Sequence, residues 1–206
     1  MTKFFRLFAA VLALIAAPLA SAHAAGEASG FINKLGTEAL QVLSTKGVQS
    51  ADGQAQFKQL LDDNFDVQGI GKFVLGRAWN TATPEQQADY QSLFKVLVEQ
   101  IYTERFSGYA GETFKVLGEK PGNNDTDTIV NTQVVHTNGA PPVGVDWTVR
   151  REDGGLKIFD VVVEGVSMSV TQRSEFASVI QRNGGKIDAL LQLLRQRTGS
   201  GPAVAK

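Results

Sequence analysis

The sequence predicts an α+β chain in which helices pack on one antiparallel sheet. Three observations predict it. Apolar residues recur at three- and four-residue steps as far as Phe106. From Thr113 the period changes to alternation in segments rich in Val, Ile and Thr. Helical spacing then returns from about Ser167. Strands gathered in one block and helices on either side of it favour a segregated α+β arrangement over a βαβ sheet.

The helices before the sheet follow in order. Phe31, Ile32, Leu35, Ala39 and Leu43 fall at helical spacing. A Gly/Ser break between Gly47 and Gly53 leads to a second helix with Phe57, Leu60, Leu61 and Phe65. A short third segment carries Ile70, Phe73 and Val74 and ends near Trp79. The fourth is the longest. Thr83-Pro84-Glu85-Gln86 supplies an N-cap, a proline at the first helical position and a Gln at the third. Behind it Tyr90, Phe94, Leu97, Val98, Ile101 and Phe106 mark one apolar face, and Gly108 and Gly111 end the run.

Four strands are predicted over 113–119, 128–137, 143–151 and 156–163. Pro121-Gly122-Asn123, Asn138-Gly139 and Asp153-Gly154-Gly155 separate them, which makes an antiparallel meander the economical topology. Two helices close the fold. One runs from about Ser167 to Arg182 and stops at Gly184-Gly185; the other carries Ile187, Leu190, Leu191 and Leu194. Residues 199–206 read as a frayed tail. With no internal repeat or linker, residues 25–198 are expected to form a single domain.

Residues 1–24 read as a secretory signal peptide. Lys3 and Arg6 precede an uncharged apolar run from Leu7 to Ala17, and Ala22-His23-Ala24 fits the small-x-small cleavage rule, placing the mature start near Ala25. The apolar run is shorter than the roughly 20 residues that span a bilayer. The mature chain is therefore expected not to span the membrane. Cleavage leaves 18 basic against 21 acidic residues, a net charge of −3, and His136 as the single histidine. The chain has no cysteine, which suits a soluble protein of the bacterial periplasm.

Composition excludes several chemistries. A formal net charge of −1 argues against nucleic acid as a partner. Zero cysteines and two histidines exclude thiolate and histidine-rich metal sites, and no cofactor is expected. No Gly-x-Ser-x-Gly elbow, Walker loop or His-Glu-x-x-His pair occurs. Gly69-Ile-Gly71 with Gly76 has the wrong spacing for a dinucleotide loop. Asp62, Asp63 and Asp66 read as a solvated helix end, and His136 as a turn or surface residue. Asp160 and Glu164 alternate with valines, as an outward sheet face does. The dominant feature is apolar: the long helix and the strand residues Val145, Trp147, Val149, Phe159, Val161 and Val163.

Three ordered stretches resemble the MlaC, or toluene-tolerance, family of periplasmic phospholipid-binding proteins. The first is Phe73-Val-Leu-Gly-Arg-Ala-Trp79, running into Ala82-Thr-Pro-Glu-Gln-Gln87 and the long helix with Phe94 and Tyr102. The second is Asn138-Gly-Ala-Pro-Pro-Val143, leading to Asp146-Trp-Thr-Val-Arg150. The third is Phe159-Asp-Val-Val-Val-Glu-Gly-Val-Ser-Met168, followed by Thr171-Gln-Arg-Ser-Glu-Phe176. This ending is also similar to the hopanoid-associated branch of the family. Leu156 departs from the pattern, where members often have Trp, and residues before Phe57 match weakly.

The resemblance implies a twisted four-stranded antiparallel sheet wrapped by about six helices, with a deep apolar pocket for acyl tails and the headgroup near solvent. It implies a carrier rather than an enzyme. The cargo would be phospholipid or a hopanoid-type lipid. The partners would be an outer-membrane lipoprotein–porin complex and an inner-membrane ABC transporter with its substrate-binding subunit. The pocket is expected between the long helix and the concave sheet face, lined by Val74, Trp79, Phe94, Leu97, Val98, Ile101, Val145, Trp147, Val149, Val161 and Val163. The strand residues are chosen by alternation against Asp146, Arg150, Asp160 and Glu164. Arg77, Arg150 and Arg173 are candidates for the pocket rim or a partner surface. Two rivals stand beside the carrier. One is an enzyme using Asp160 or Tyr102 in the pocket; the other is an interaction protein with a closed core.

Overall fold

A computed structural model describes residues 26–47, 50–106 and 111–199. The signal peptide, its cleavage position and residues 200–206 of the predicted tail lie outside the described residues. The helices are α1 (Glu27–Thr45), α2 (Ala51–Asn64), α3 (Val67–Leu75), α4 (Arg77–Thr81), α5 (Pro84–Phe106), α6 (Met168–Arg182) and α7 (Ile187–Thr198). The strands are β1 (Thr113–Pro121), β2 (Asp127–Val135), β3 (Val143–Glu152), β4 (Gly155–Val163) and β5 (Val166–Ser167). They form one antiparallel sheet in the order β1-β2-β3-β4-β5, a meander.

Two expectations of number are corrected. The third helical segment is two helices, α3 and α4, because Gly76 turns the chain between them with φ +61° and ψ −129°, outside the range a helix uses. The sheet gains a fifth strand, since β5 folds back so that Val162 pairs with Ser167 and Val163 with Val166.

Local chemistry explains most helix starts. Thr83 and Gln86 cap α5 reciprocally: the Gln86 N–H donates to Thr83 Oγ1 at 3.2 Å, and the Thr83 N–H donates to Gln86 Oε1 at 3.0 Å. Ser50, Asp66 and Ser167 cap α2, α3 and α6 through the N–H groups of Gly53, Gly69 and Val170. The start of α1 differs. Its N-cap, Gly26, has no side chain, and the carboxylate of Glu119 on β1 accepts from Gly26 N–H at 2.5 Å and Ser29 N–H at 2.7 Å.

The apolar residues divide between two clusters. One lies between α1, α2 and the inner sheet face, with Ile32, Leu35, Phe57, Leu61, Val130, Val145, Ile158 and Val161. The other joins α3, α5, α6 and α7 around Tyr90, Phe94, Phe176, Leu190 and Leu194. Tyr90 is wholly buried, its hydroxyl donates to Gly71 O at 3.0 Å, and burial pushes its phenol well above the ordinary range.

A bulge sets which residues of β4 face inward. Thr148 pairs with Asp160 and Val149 with Ile158, so Phe159 has no partner in the ladder. Ile158 therefore joins Val161 in the core, and Phe159 packs against Phe73 at 5.8 Å instead of continuing the inner row.

Candidate functional site

The two clusters do not close on each other. Two apolar cavities lie side by side over the inner sheet face. The first, about 280 Å³, is bounded by α3, α5, β3, β4 and the start of α6. The second, about 450 Å³, is bounded by α1, α2, the end of α5 and β1 to β3. Phe65, Tyr102 and Trp147 line both and form the partition between them.

Each partition residue is positioned by a different element. Phe65 sits at the α2–α3 junction, strapped to β4 where the Asp66 N–H donates to Ile158 O at 3.0 Å. Tyr102 comes from α5 and meets Phe65 at 5.9 Å between ring centroids. Trp147 is fixed by a relay: its Nε1–H donates to Thr132 Oγ1 at 2.9 Å, and that hydroxyl donates to Val145 O at 2.6 Å. Thr132 is a buried polar residue, and this relay satisfies it.

The polar lining gathers where β2 ends, β3 begins and α6 starts. The first cavity meets Ser169, Thr171, Gln172 and Glu175 there; the second meets Glu112, Thr113 and His136. His136 Nδ1 lies 3.6 Å from Glu112 Oε1, so this histidine is a half-buried rim residue rather than a plain turn residue. Asp160 also borders the first cavity. Its carboxylate accepts from Ser167 Oγ, Ser169 N–H and Val161 N–H, so it holds the turn from β4 into α6.

The residues expected to line one pocket separate as follows. Val74, Phe94, Leu97, Val98, Ile101, Trp147, Val161 and Val163 line the first cavity. Val145 lines only the second, with Trp147. Val149 and Trp79 line neither, which corrects their expected placement. Val149 is 1% exposed and is packed shut against the α1–α2 cluster at the bulge. Trp79 belongs to α4, which Gly76 turns away, and its ring lies in an outer cleft beneath Lys72.

Sequence reasoning missed the second cavity. Its walls include Ile32, Leu35, Leu40, Leu43, Phe57 and Leu61. The signal available was the spacing of α1, an apolar face with no assigned partner. Phe65, Ile70 and Met168 were missed in the first cavity.

Among the described residues no cluster of three or more acidic or histidine side chains is arranged to hold a metal ion. Asp62 pairs with Lys95 at 2.8 Å, Asp63 accepts from Gln59, and Asp66 caps α3, so the acidic cluster is divided among three structural tasks. Among the described residues no helix is long and apolar enough to cross a membrane.

Known proteins resemble this architecture. Residues 33–196 match the family described as MlaC protein. The chain is 24% identical over 133 residues to the intermembrane phospholipid transport system binding protein MlaC of Haemophilus influenzae, covering 64% of this chain and 61% of that protein. It is 29% identical over 131 residues to the toluene tolerance protein ttg2D of Pseudomonas putida, covering 63% of this chain and 60% of that protein. The chain thus spans about three fifths of the length of these curated relatives. A phospholipid-binding protein from Ralstonia solanacearum, solved in complex with a phospholipid, superposes with a TM-score of 0.71 at 27% identity, covering 82% of this chain and 96% of that one. A match running from within α1 into α7, with the fold reproduced, places the chain in one family: it belongs to the MlaC proteins.

Proposed function

We propose that this chain is a soluble periplasmic lipid carrier whose domain, residues 25–198, holds the acyl chains of a phospholipid in the two cavities, one chain in each. The observation that carries the reading is the pair of apolar cavities of about 280 and 450 Å³ separated by Phe65, Tyr102 and Trp147. Two acyl chains of about 15 methylenes each represent on the order of 25 kcal/mol of apolar surface in water, so no carrier moves them exposed. An apolar lining makes transfer from a bilayer nearly balanced, and lipid then moves either way without a deep well. Direction comes from partners. The proposed ones are an outer-membrane lipoprotein–porin complex and an inner-membrane ABC transporter with its substrate-binding subunit, as the name of the H. influenzae relative, an intermembrane transport system protein, suggests.

The partition favours two flexible chains over a rigid polycycle, which would fit one branch at most; this weighs for phospholipid over a hopanoid-type cargo. We read the chain as a carrier and not an enzyme, because Asp160, the carboxylate on the first cavity, is engaged by three donors of its own turn. Native mass spectrometry of the mature protein purified without detergent, followed by solvent extraction, tests the proposal. A stoichiometric diacyl lipid adduct is expected. A bare mass that stays unchanged after incubation with liposomes overturns it.

A further inference from the structure

On the outer side of α3 and α6 lies an open cleft of about 520 Å³ that the lipid cavities do not use. The structure brings Lys72, Arg77, Arg150 and Arg173 to its walls, against the carboxylate of Asp66, which accepts from the Gly69 N–H and is hydrogen-bonded to Glu152 beside it. This concentrates positive charge on a chain that carries 21 acidic and 20 basic residues. Three of the cations lie over aromatic rings. Arg150 Cζ is 3.5 Å from the centroid of Phe159, Arg173 Cζ is 4.8 Å from that of Phe73, and Lys72 Nζ is 5.8 Å from that of Trp79. Gly76 makes room for this arrangement: a Cβ there would sit 3.2 Å from Arg173 Nε.

Arg150 is already paired, donating to both oxygens of Asp127 at 2.8 and 3.0 Å. Lys72, Arg77 and Arg173 have no carboxylate partner among the described residues. A guanidinium held over a ring still has N–H groups to donate to a bidentate carboxylate. Arginine set among half-buried Trp and Phe is the composition of protein-interface hot spots. A bilayer would take rings that project from the surface, whereas Phe73, Trp79 and Phe159 are half-buried beneath the cations, and a free ion needs no aromatic floor. From this geometry we propose that the cleft is a docking site for an acidic segment of a partner protein.

Its position gives docking a consequence. α6 presents Gln172 and Glu175 to the first cavity and Arg173 to the cleft; α3 presents Ile70 and Val74 to the cavity and Phe73 to the cleft. A partner seated there grips the two helices that wall the first cavity.

The test is fluorescence anisotropy of a dye-labelled oligoglutamate peptide against the mature protein, with inorganic phosphate and phosphatidylglycerol vesicles as parallel probes. Saturable peptide binding is expected at about 20 mM salt and its loss at about 0.5 M. Lys72→Gln, Arg77→Gln and Arg173→Gln should each weaken it about five- to tenfold, with Arg173→Lys intermediate because it keeps charge and loses the fork. Arg151→Gln, a cation outside the cleft paired with Glu27, should leave it unchanged. Lys72 and Arg77 are exposed, so their variants keep the fold, which circular dichroism checks. Peptide binding that ignores all three substitutions overturns the proposal. So does binding of phosphate or vesicles, but not peptide, through those residues. Native mass spectra of the same samples keep the two readings apart: loss of the lipid adduct in wild type would remove the carrier and leave the cleft standing.

Discussion

Asp127 on β2 and Arg150 on β3 form a bidentate ion pair, Arg150 donating to both carboxylate oxygens at 2.8 and 3.0 Å. Asp127 is 7% exposed, and the bidentate bond from Arg150 holds its carboxyl below the usual 3.8, outweighing the upward push of burial. Because the folded value is depressed, the pair's contribution is complete above the unfolded value and is lost as pH falls through the folded one. Asp127→Asn should therefore lower stability by about 3 kcal/mol at neutral pH, and flatten the acid limb of melting temperature against pH below about 4. An acid limb identical to wild type would show that other carboxylates set it. At this scale the sequence conveyed residue type and parity but not registry. Alternation placed Val149 and Phe159 on one inner row with Val161. The bulge at Phe159, fixed by neighbouring strands, sealed Val149 in the core and set Phe159 between the first cavity and the outer cleft. A charge at Val149 now probes folding, whereas Val98 or Val161 borders the cavity.

Helix ends separate local from tertiary instruction. The α5 cap could be read from Thr83-Pro84-Glu85-Gln86 because both partners lie within one turn. The α1 cap could not, because Glu119 is 90 residues or more from the amides it serves. Its position at a helix N-terminus also complements the macrodipole. Glu119→Ala should cost about 1 kcal/mol and raise hydrogen exchange in the first turns of α1 ahead of the rest of the chain. Since Ile32 and Leu35 of α1 wall the second cavity, lipid retention should fall in the same variant. Unchanged exchange in α1 would remove Glu119 from that role. The α3–α4 break is intermediate: Gly76 was visible as a residue, but its left-handed φ follows from α4 having to leave the α3 axis where Arg173 packs.

For the molecule as a whole, two cavities sharing a partition predict how cargo responds to filling. Val98→Phe occupies the first cavity and Ala39→Phe the second, each at a half-buried position on the cavity wall. Either change should reduce diacyl phospholipid binding by tenfold or more, on the order of 1.4 kcal/mol, while a single-chain lysophospholipid still binds. Liposome-extraction assays on both variants measure this, and full diacyl loading of the Ala39→Phe protein would mean that both chains use the first cavity. The sequence specified the class, the meander, the long α5 with its cap, and an excess of apolar faces, because periodicity, turn residues and caps act over a few neighbours. It also pointed to most of the first cavity, since α5, β3 and β4 each carry a readable apolar row. The second cavity, the aromatic partition and the cationic cleft were decided by tertiary structure. Each joins residues from three or more elements, and whether two apolar faces meet or leave a void depends on strand registry and helix placement, which no local pattern encodes.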